Sequence, residues 1–187
     1  MPFFYFPDNT VLINFSLIDG SDILRQIVRE QGRWTITVAR EWGNSSQKLA
    51  LPSLSNWKTI FGTPISPTRA EQVDAAHIAI QMRHPGENDP AKNIGEAETI
   101  AVIQRRGLSA FFLTDDHDAA RVAKLNKINV VGTGKLIATA EAQDWITSST
   151  AHAWLNDLWH NHGRVLGDMA RIDDYDTHVA NLRASHH

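Results

Sequence analysis

Asp8, Glu41, Glu96 and the pair Asp115-Asp116 stand at the ends of apolar segments or at helix starts. Asp8 comes after Phe3-Phe4-Tyr5-Phe6, and Glu41 after Thr35-Ile36-Thr37-Val38. Glu96 lies in Gly95-Glu96-Ala97-Glu98, and the acidic pair comes after Phe111-Phe112-Leu113-Thr114. A carboxylate in such a place is costly unless something positive gathers it. Hard divalent cations such as Mg²⁺ and Mn²⁺ take oxygen ligands of this kind, so the pattern points to a carboxylate-lined metal pocket. Each acid also has a plainer role open to it. Asp8 could cap a helix, and Glu41 could be a solvated helix residue. Glu96 and Glu98, two apart, cannot share one helix face. Asp115 and Asp116 compete in the same way, with Asp118 a further capping residue. Thr114 could position a water or phosphate, or serve as a cap.

The elements that must position these acids follow from periodicity. Residues 3–7 read as an apolar strand, with Asn9-Thr10 as a helix cap before Val11-Leu12-Ile13. Ile23, Leu24, Ile27 and Val28 make one helical face, ended by Gly32. Trp34 to Thr37 predicts a second, β-branched strand, after which Thr37 caps the helix that carries Glu41. Residues 43–67 read as an irregular excursion with one short helix, anchored by Trp57, Ile60 and Phe61. A helix over Thr68 to Met82 groups Val73, Ala76, His77 and Ile80 on one face, and 84–93 is a polar loop. A helix over 95–106, a strand over 110–114, a helix over 118–126 and a strand over 128–131 complete the pattern.

Short apolar strands alternating with helices predict an α/β fold with a central parallel sheet covered on both faces. Ligands of such sheets bind beyond the carboxyl ends of the strands, where one cleft could collect all four acidic sites. The expected division is 1–137 for this domain, with 43–92 its partly helical excursion, and 138–187 for a helical C-terminal extension. Within the extension, 149–160 reads as an amphipathic helix capped by Ser149 or Thr150, burying Trp154, Leu155 and Leu158 against the core or a second subunit. An exposed stripe of that size is a liability, which makes a homodimer the expectation. Trp154 and Trp159 could stack on RNA bases, but tryptophan at helical spacing with leucine is more often core or interface. His152, His160 and His162 read as solvated, since no cysteine or finger spacing supports a zinc site.

Composition narrows the choice. The chain has 187 residues, so it can bury a proper core. The absence of cysteine excludes disulfides and thiolate-zinc sites and fits a cytoplasmic protein. No apolar run reaches the roughly 18–20 residues of a membrane span, and the opening stretch reads as a strand rather than a signal peptide. The net charge of −3 excludes a strongly basic nucleic-acid binder. A polyanionic substrate would have to be held by local Lys/Arg patches and metal ions.

Asp8-Asn9-Thr10-Val11-Leu12-Ile13-Asn14, Glu41, Gly95-Glu96-Ala97-Glu98-Thr99-Ile100-Ala101, Leu113-Thr114-Asp115-Asp116-His117-Asp118-Ala119-Ala120-Arg121-Val122-Ala123 and Val130-Val131-Gly132-Thr133-Gly134 follow one another in a telling order. Together they resemble the PIN domain, a metal-dependent nuclease fold that includes VapC-type toxins, in the subgroup with a Gly-Glu-x-Glu helix. The resemblance covers roughly residues 3–137, with a break at 43–92. It implies a three-layer α/β/α domain and a Mg²⁺- or Mn²⁺-dependent endoribonuclease leaving 5′-phosphates. It also implies the toxin of a toxin–antitoxin pair, with RNA as substrate and an antitoxin protein as partner. On the family's pattern Asp8, Glu41, Glu96 and Asp116 are the catalytic, metal-holding residues, with Asp115 and Glu98 as their competitors. Two features depart from the family. Asn9-Thr10 reverses the usual hydroxyl-then-amide order, and the C-terminal extension exceeds a minimal domain. The alternative is a non-catalytic binding or assembly module on the same fold, because a fold does not guarantee an activity.

Overall fold

Three short strands, β1 (Phe4–Pro7), β2 (Ala110–Leu113) and β3 (Asn129–Val131), pair in parallel in that order. Tyr5 lies opposite Phe111, and Phe111 opposite Asn129; Phe6, Phe112 and Val130 form the next rung. Side chains alternate across a sheet, and the sequence exploits both faces. Phe4, Phe6, Ala110, Phe112 and Val130 pack with helices α5 (Arg69–Gln81), α6 (Ile94–Arg105) and α7 (His117–Leu125). Tyr5, Phe111, Leu113 and Val131 pack on the opposite side with α1 (Asn9–Leu17), α2 (Ser21–Val28), α3 (Ile36–Lys48) and α4 (Ser55–Phe61). The chain ends in α8 (Thr133–Ala142), α9 (Ser148–Asn156) and α10 (Ile172–Ser185), also on this side. The result is the expected α/β fold, three layers around a parallel sheet. The computed structural model describes residues 3–51, 55–87, 89, 92–167, 169 and 171–185. Among these no helix is long and apolar enough to cross a membrane.

The expected strand at 34–37 does not form. The chain makes only isolated bridges there, Tyr5 to Gly32 and Thr35 to Ile65, and α3 already begins at Ile36. The cause is a cap: the Thr35 hydroxyl accepts from the Val38 N–H at 3.5 Å, two residues earlier than the Thr37 expected from sequence. Trp34 is buried not in a ladder but beside Phe61, with its indole N–H donating to the Gly62 carbonyl at 2.9 Å. Gly32 is needed for proximity, since a Cβ there would lie 2.7 Å from the Ile60 carbonyl oxygen. Trp57, Ile60 and Phe61 are the buried anchors expected of the excursion, which holds more helix than predicted, from the end of α3 through α4.

Helix α5 presents a different face from the one expected. Ala75, Ile78 and Ala79 are buried, whereas Val73 is 51 % and Ile80 59 % exposed. Thr68 sets this rotation through a reciprocal capping box with Glu71. Glu71 is then buried against Arg106, whose guanidinium holds its carboxyl down at about 2. In the C-terminal part Thr147, not Ser149 or Thr150, caps α9. Leu155 and Leu158 are fully buried in the same cluster as Val11 and Trp34, with half-buried Trp154 against them. Helix α10 is held to α8 by the Tyr175 hydroxyl, which donates to buried Glu141 at 2.8 Å.

Two substitutions on α5 test which face is inside. Ile78→Ala is expected to lower unfolding stability by about 2–5 kcal/mol, and Ile80→Ala by less than about 0.5 kcal/mol. Urea denaturation of both variants checks this; equal losses would mean the face assigned here is wrong.

Candidate metal centre

The carboxyl ends of the three strands converge on one edge. The ladder continues one residue past them, with Asp8 N–H donating to Leu113 at 2.8 Å and Thr114 N–H to Val131 at 3.1 Å. Asp8, fully buried, caps α1 by accepting from Val11 N–H at 2.8 Å. Its second oxygen accepts the Thr114 hydroxyl proton. The same hydroxyl oxygen accepts from Asp116 N–H at 3.0 Å, and Asp116 caps α7 by accepting from Ala119 N–H at 2.7 Å. One threonine thus couples the acid after β1 to the acid after β2. Asp8, one of the caps the sequence allowed, starts α1 in place of Asn9-Thr10, and Asp116 rather than Asp118 starts α7.

Two helices bring the glutamates. Glu41 projects from α3 onto the start of α6, where it accepts the Gly95 N–H. A Cβ on Gly95 would lie 2.5 Å from Glu41 Oε2, so only glycine leaves room for this carboxylate. Glu96 follows in the first turn of α6, where a helix N-terminus favours negative charge. Glu98 is buried elsewhere: its oxygens accept from Thr37 N–H at 3.3 Å and from the Thr37 hydroxyl at 2.9 Å, tying α6 to α3. Asp115 is similarly engaged. It accepts from Thr133 N–H at 2.9 Å, from the Thr133 hydroxyl, and from Asn14 Nδ2 at 3.0 Å.

Electrostatics centre on Glu96. Burial raises the Asp8 carboxyl well above the usual carboxylate range, and Glu96 and Asp115 push it further. Burial, then Glu96, pushes Glu41 up to about 7, against the pull of Arg40. Glu96 is itself raised by burial and by Asp116. The structure therefore draws Asp8, Glu41, Glu96 and Asp116 into one mutually repelling neighbourhood. Their all-oxygen donor set fits a hard divalent cation, which would relieve both the repulsion and the desolvation. Among the described residues no three acidic or histidine side chains stand close enough to enclose an ion. Like charges at low dielectric spread apart, and the acids occupy one edge without forming a closed shell.

The fold and this edge define a known class. A family model described as a PIN domain matches residues 6–170. The chain belongs to the PIN-domain family, whose fold is that of nucleases and whose members generally use divalent metal ions. The match runs past the expected boundary at 137 and takes in Leu155, Leu158 and Arg164. No curated protein and no solved structure matches the chain.

Sequence reading did not find Arg164, whose Nε donates to Asn14 Oδ1 at 2.7 Å and so reaches the Asp115 cluster. Nothing local marks it, since its partner lies 150 residues away. Nor did it find Gly95 as the seat of Glu41; a glycine in a helix's first turn, directly before an acid, was the available signal. Arg121 pairs with Asp118 at 3.1 Å, as its place within one helix predicts.

The raised Glu41 carboxyl makes stability depend on pH. Between the unfolded value near 4.5 and about 7, the folded chain keeps a proton that the unfolded chain has lost. Without divalent ions, stability should fall as pH rises through this window and level off above it. Glu41→Gln is expected to remove roughly 1–3 kcal/mol of that fall. Denaturant unfolding at pH 5 and pH 8 in chelator measures it, and an unchanged slope in the variant would contradict the assignment.

Proposed function

We propose that this protein is a Mg²⁺- or Mn²⁺-dependent endoribonuclease that hydrolyses RNA phosphodiester bonds and leaves 5′-phosphates. We further propose that it is a VapC-like toxin acting on cytoplasmic RNA and held in check by an antitoxin protein. The observation that carries the reading is the gathering of buried Asp8 with half-buried, like-charged Glu41 and Glu96, and Asp116 beside them, at the carboxyl edge of a parallel sheet. A bound divalent cation supplies an acidified water and offsets phosphate charge. The chain's own residues prepare that place. Thr114 orients Asp8 and the turn that carries Asp116, and Gly95 leaves space for Glu41. Asp115 and Glu98 serve as braces, one joining α1 to the turn after β3 and the other joining α3 to α6. A homodimer belongs to the same proposal, and exposed Val73 and Ile80 offer it an apolar face.

The second reading is a non-catalytic binding or assembly module. It draws on the open spacing of the acids, and divalent binding separates the two. Cleavage of a structured RNA with Mn²⁺ is the direct test. Asp8→Asn keeps a capping side chain but removes the charge, and should lower the rate by at least about 100-fold. Equal cleavage by both proteins would remove Asp8 from the site. Products should be degraded by a 5′-phosphate-dependent exonuclease.

Gly95→Ala separates site from fold. Alanine is the better helix former by up to about 1 kcal/mol, so urea stability should hold. The new methyl displaces the Glu41 carboxylate, and Mn²⁺ affinity by calorimetry should drop about tenfold or more. Undiminished Mn²⁺ binding would place the ion away from Glu41.

A further inference from the structure

An acidic edge in a chain of net charge −3 repels the polyanion it would act on, so cations must stand close by. Arg164 is one. Its Nε is fixed to Asn14, which also donates to Asp115, so the guanidinium is held in place relative to the strand ends. Beyond that bond its charge acts on Asp115, and its terminal nitrogens donate no hydrogen bond among the described residues. Two cavities share the turn Gly163-Arg164-Val165. One, of about 620 Å³, is also lined by Thr10, Asp115 and Asp116. The other, of about 670 Å³, is walled by Trp159, His160 and Arg171. Trp159 and His160 belong to a wide π turn, Asp157–Asn161, of the kind that recurs at functional sites. Arg171 is mostly exposed, with Asp173 at 3.1 Å.

We propose that the second cavity is a nucleotide subsite that guides a single RNA strand over the turn 163–165 to the acidic edge. Arg164 grips the phosphate next to the one at the acids, through a fork suited to phosphate oxygens. Trp159 stacks on the adjoining base, and Arg171 pairs with the following phosphate. This deepens the nuclease reading and rests on it.

The test uses the full chain and a short fluorescein-labelled single-stranded RNA, titrated with Ca²⁺ over a range of salt. Cleavage with Mn²⁺ is measured in parallel. Arg171→Gln should weaken binding and make the salt dependence shallower by about 0.7 in log–log slope. Trp159→Leu should weaken binding roughly tenfold with no change of slope. Both should raise KM while kcat stays within about twofold. Arg171 is too exposed for its loss to act through misfolding, so its result stands even if Trp159→Leu is destabilised. If both variants bind and cut like the wild type while Asp8→Asn does not cut, the subsite is wrong and the nuclease reading survives. A wild type that binds in this pattern but cuts nothing keeps the strand path and overturns the nuclease reading. A wild type that binds no RNA overturns both.

Discussion

The parallel pairing of β1 with β2 decides where every acid lies. Asp8 and Thr114 are 106 residues apart, and only this ladder brings the Thr114 hydroxyl onto the Asp8 carboxylate. Each strand has four residues, too few to be stable alone, so the ladder depends in turn on both packed faces. Phe6 and Phe112 bury one side; Leu113, with Tyr5 and Phe111, covers the other. The sheet's alternation therefore has a chemical consequence. It places two successive strand ends side by side and leaves their acids nowhere to go but the common edge.

What holds those acids is largely neutral. Threonine hydroxyls at 37, 114 and 133, the Asn14 amide and the backbone N–H groups of Val11, Gly95 and Ala119 orient the carboxylates. Such donors fix direction without cancelling charge. A lysine or arginine in the same places would satisfy the acids and leave no reason for an ion to bind. Elsewhere the chain does use direct neutralisation, as where Arg106 meets Glu71 on the far end of α6. The contrast between Glu71, held low by a guanidinium, and Glu41, raised to about 7 among acids, marks the difference between a structural carboxylate and a poised one.

The sequence revealed the acids and most helices because these are local signals: apolar runs, capping residues and a glycine beside a glutamate. It misread places where a distant contact prevails over local preference. The β-branched run at 34–37 looked like a strand, yet Trp34 is claimed by Phe61 and Gly62, and Thr35 turns the chain into α3. On α5 the apolar residues Val73 and Ile80 suggested the inner face. The smaller Ala75 and Ala79 are the ones that let α6 approach, so they are inside instead. Between Asp115 and Asp116, and between Glu96 and Glu98, periodicity left the choice open, and only the family resemblance favoured Asp116 and Glu96. The choice turns on which neighbour offers a donor, and those donors, Thr133, Asn14 and Thr37, are remote in sequence.

The link from Arg164 to Asn14 spans 150 residues, and it has a bearing on synthesis. A ribosome extends a chain at roughly 5–20 residues per second, so Asp8 and Glu41 emerge many seconds before the partners that complete their surroundings. Until β2 emerges, Asp8 is a solvated carboxylate on an unpaired strand. Until the segment with Arg164 follows, Asn14 lacks the guanidinium that closes its cluster. The acidic edge needs the turn after β2 as well as the end of β1, so a fragment that stops before residue 116 does not carry it.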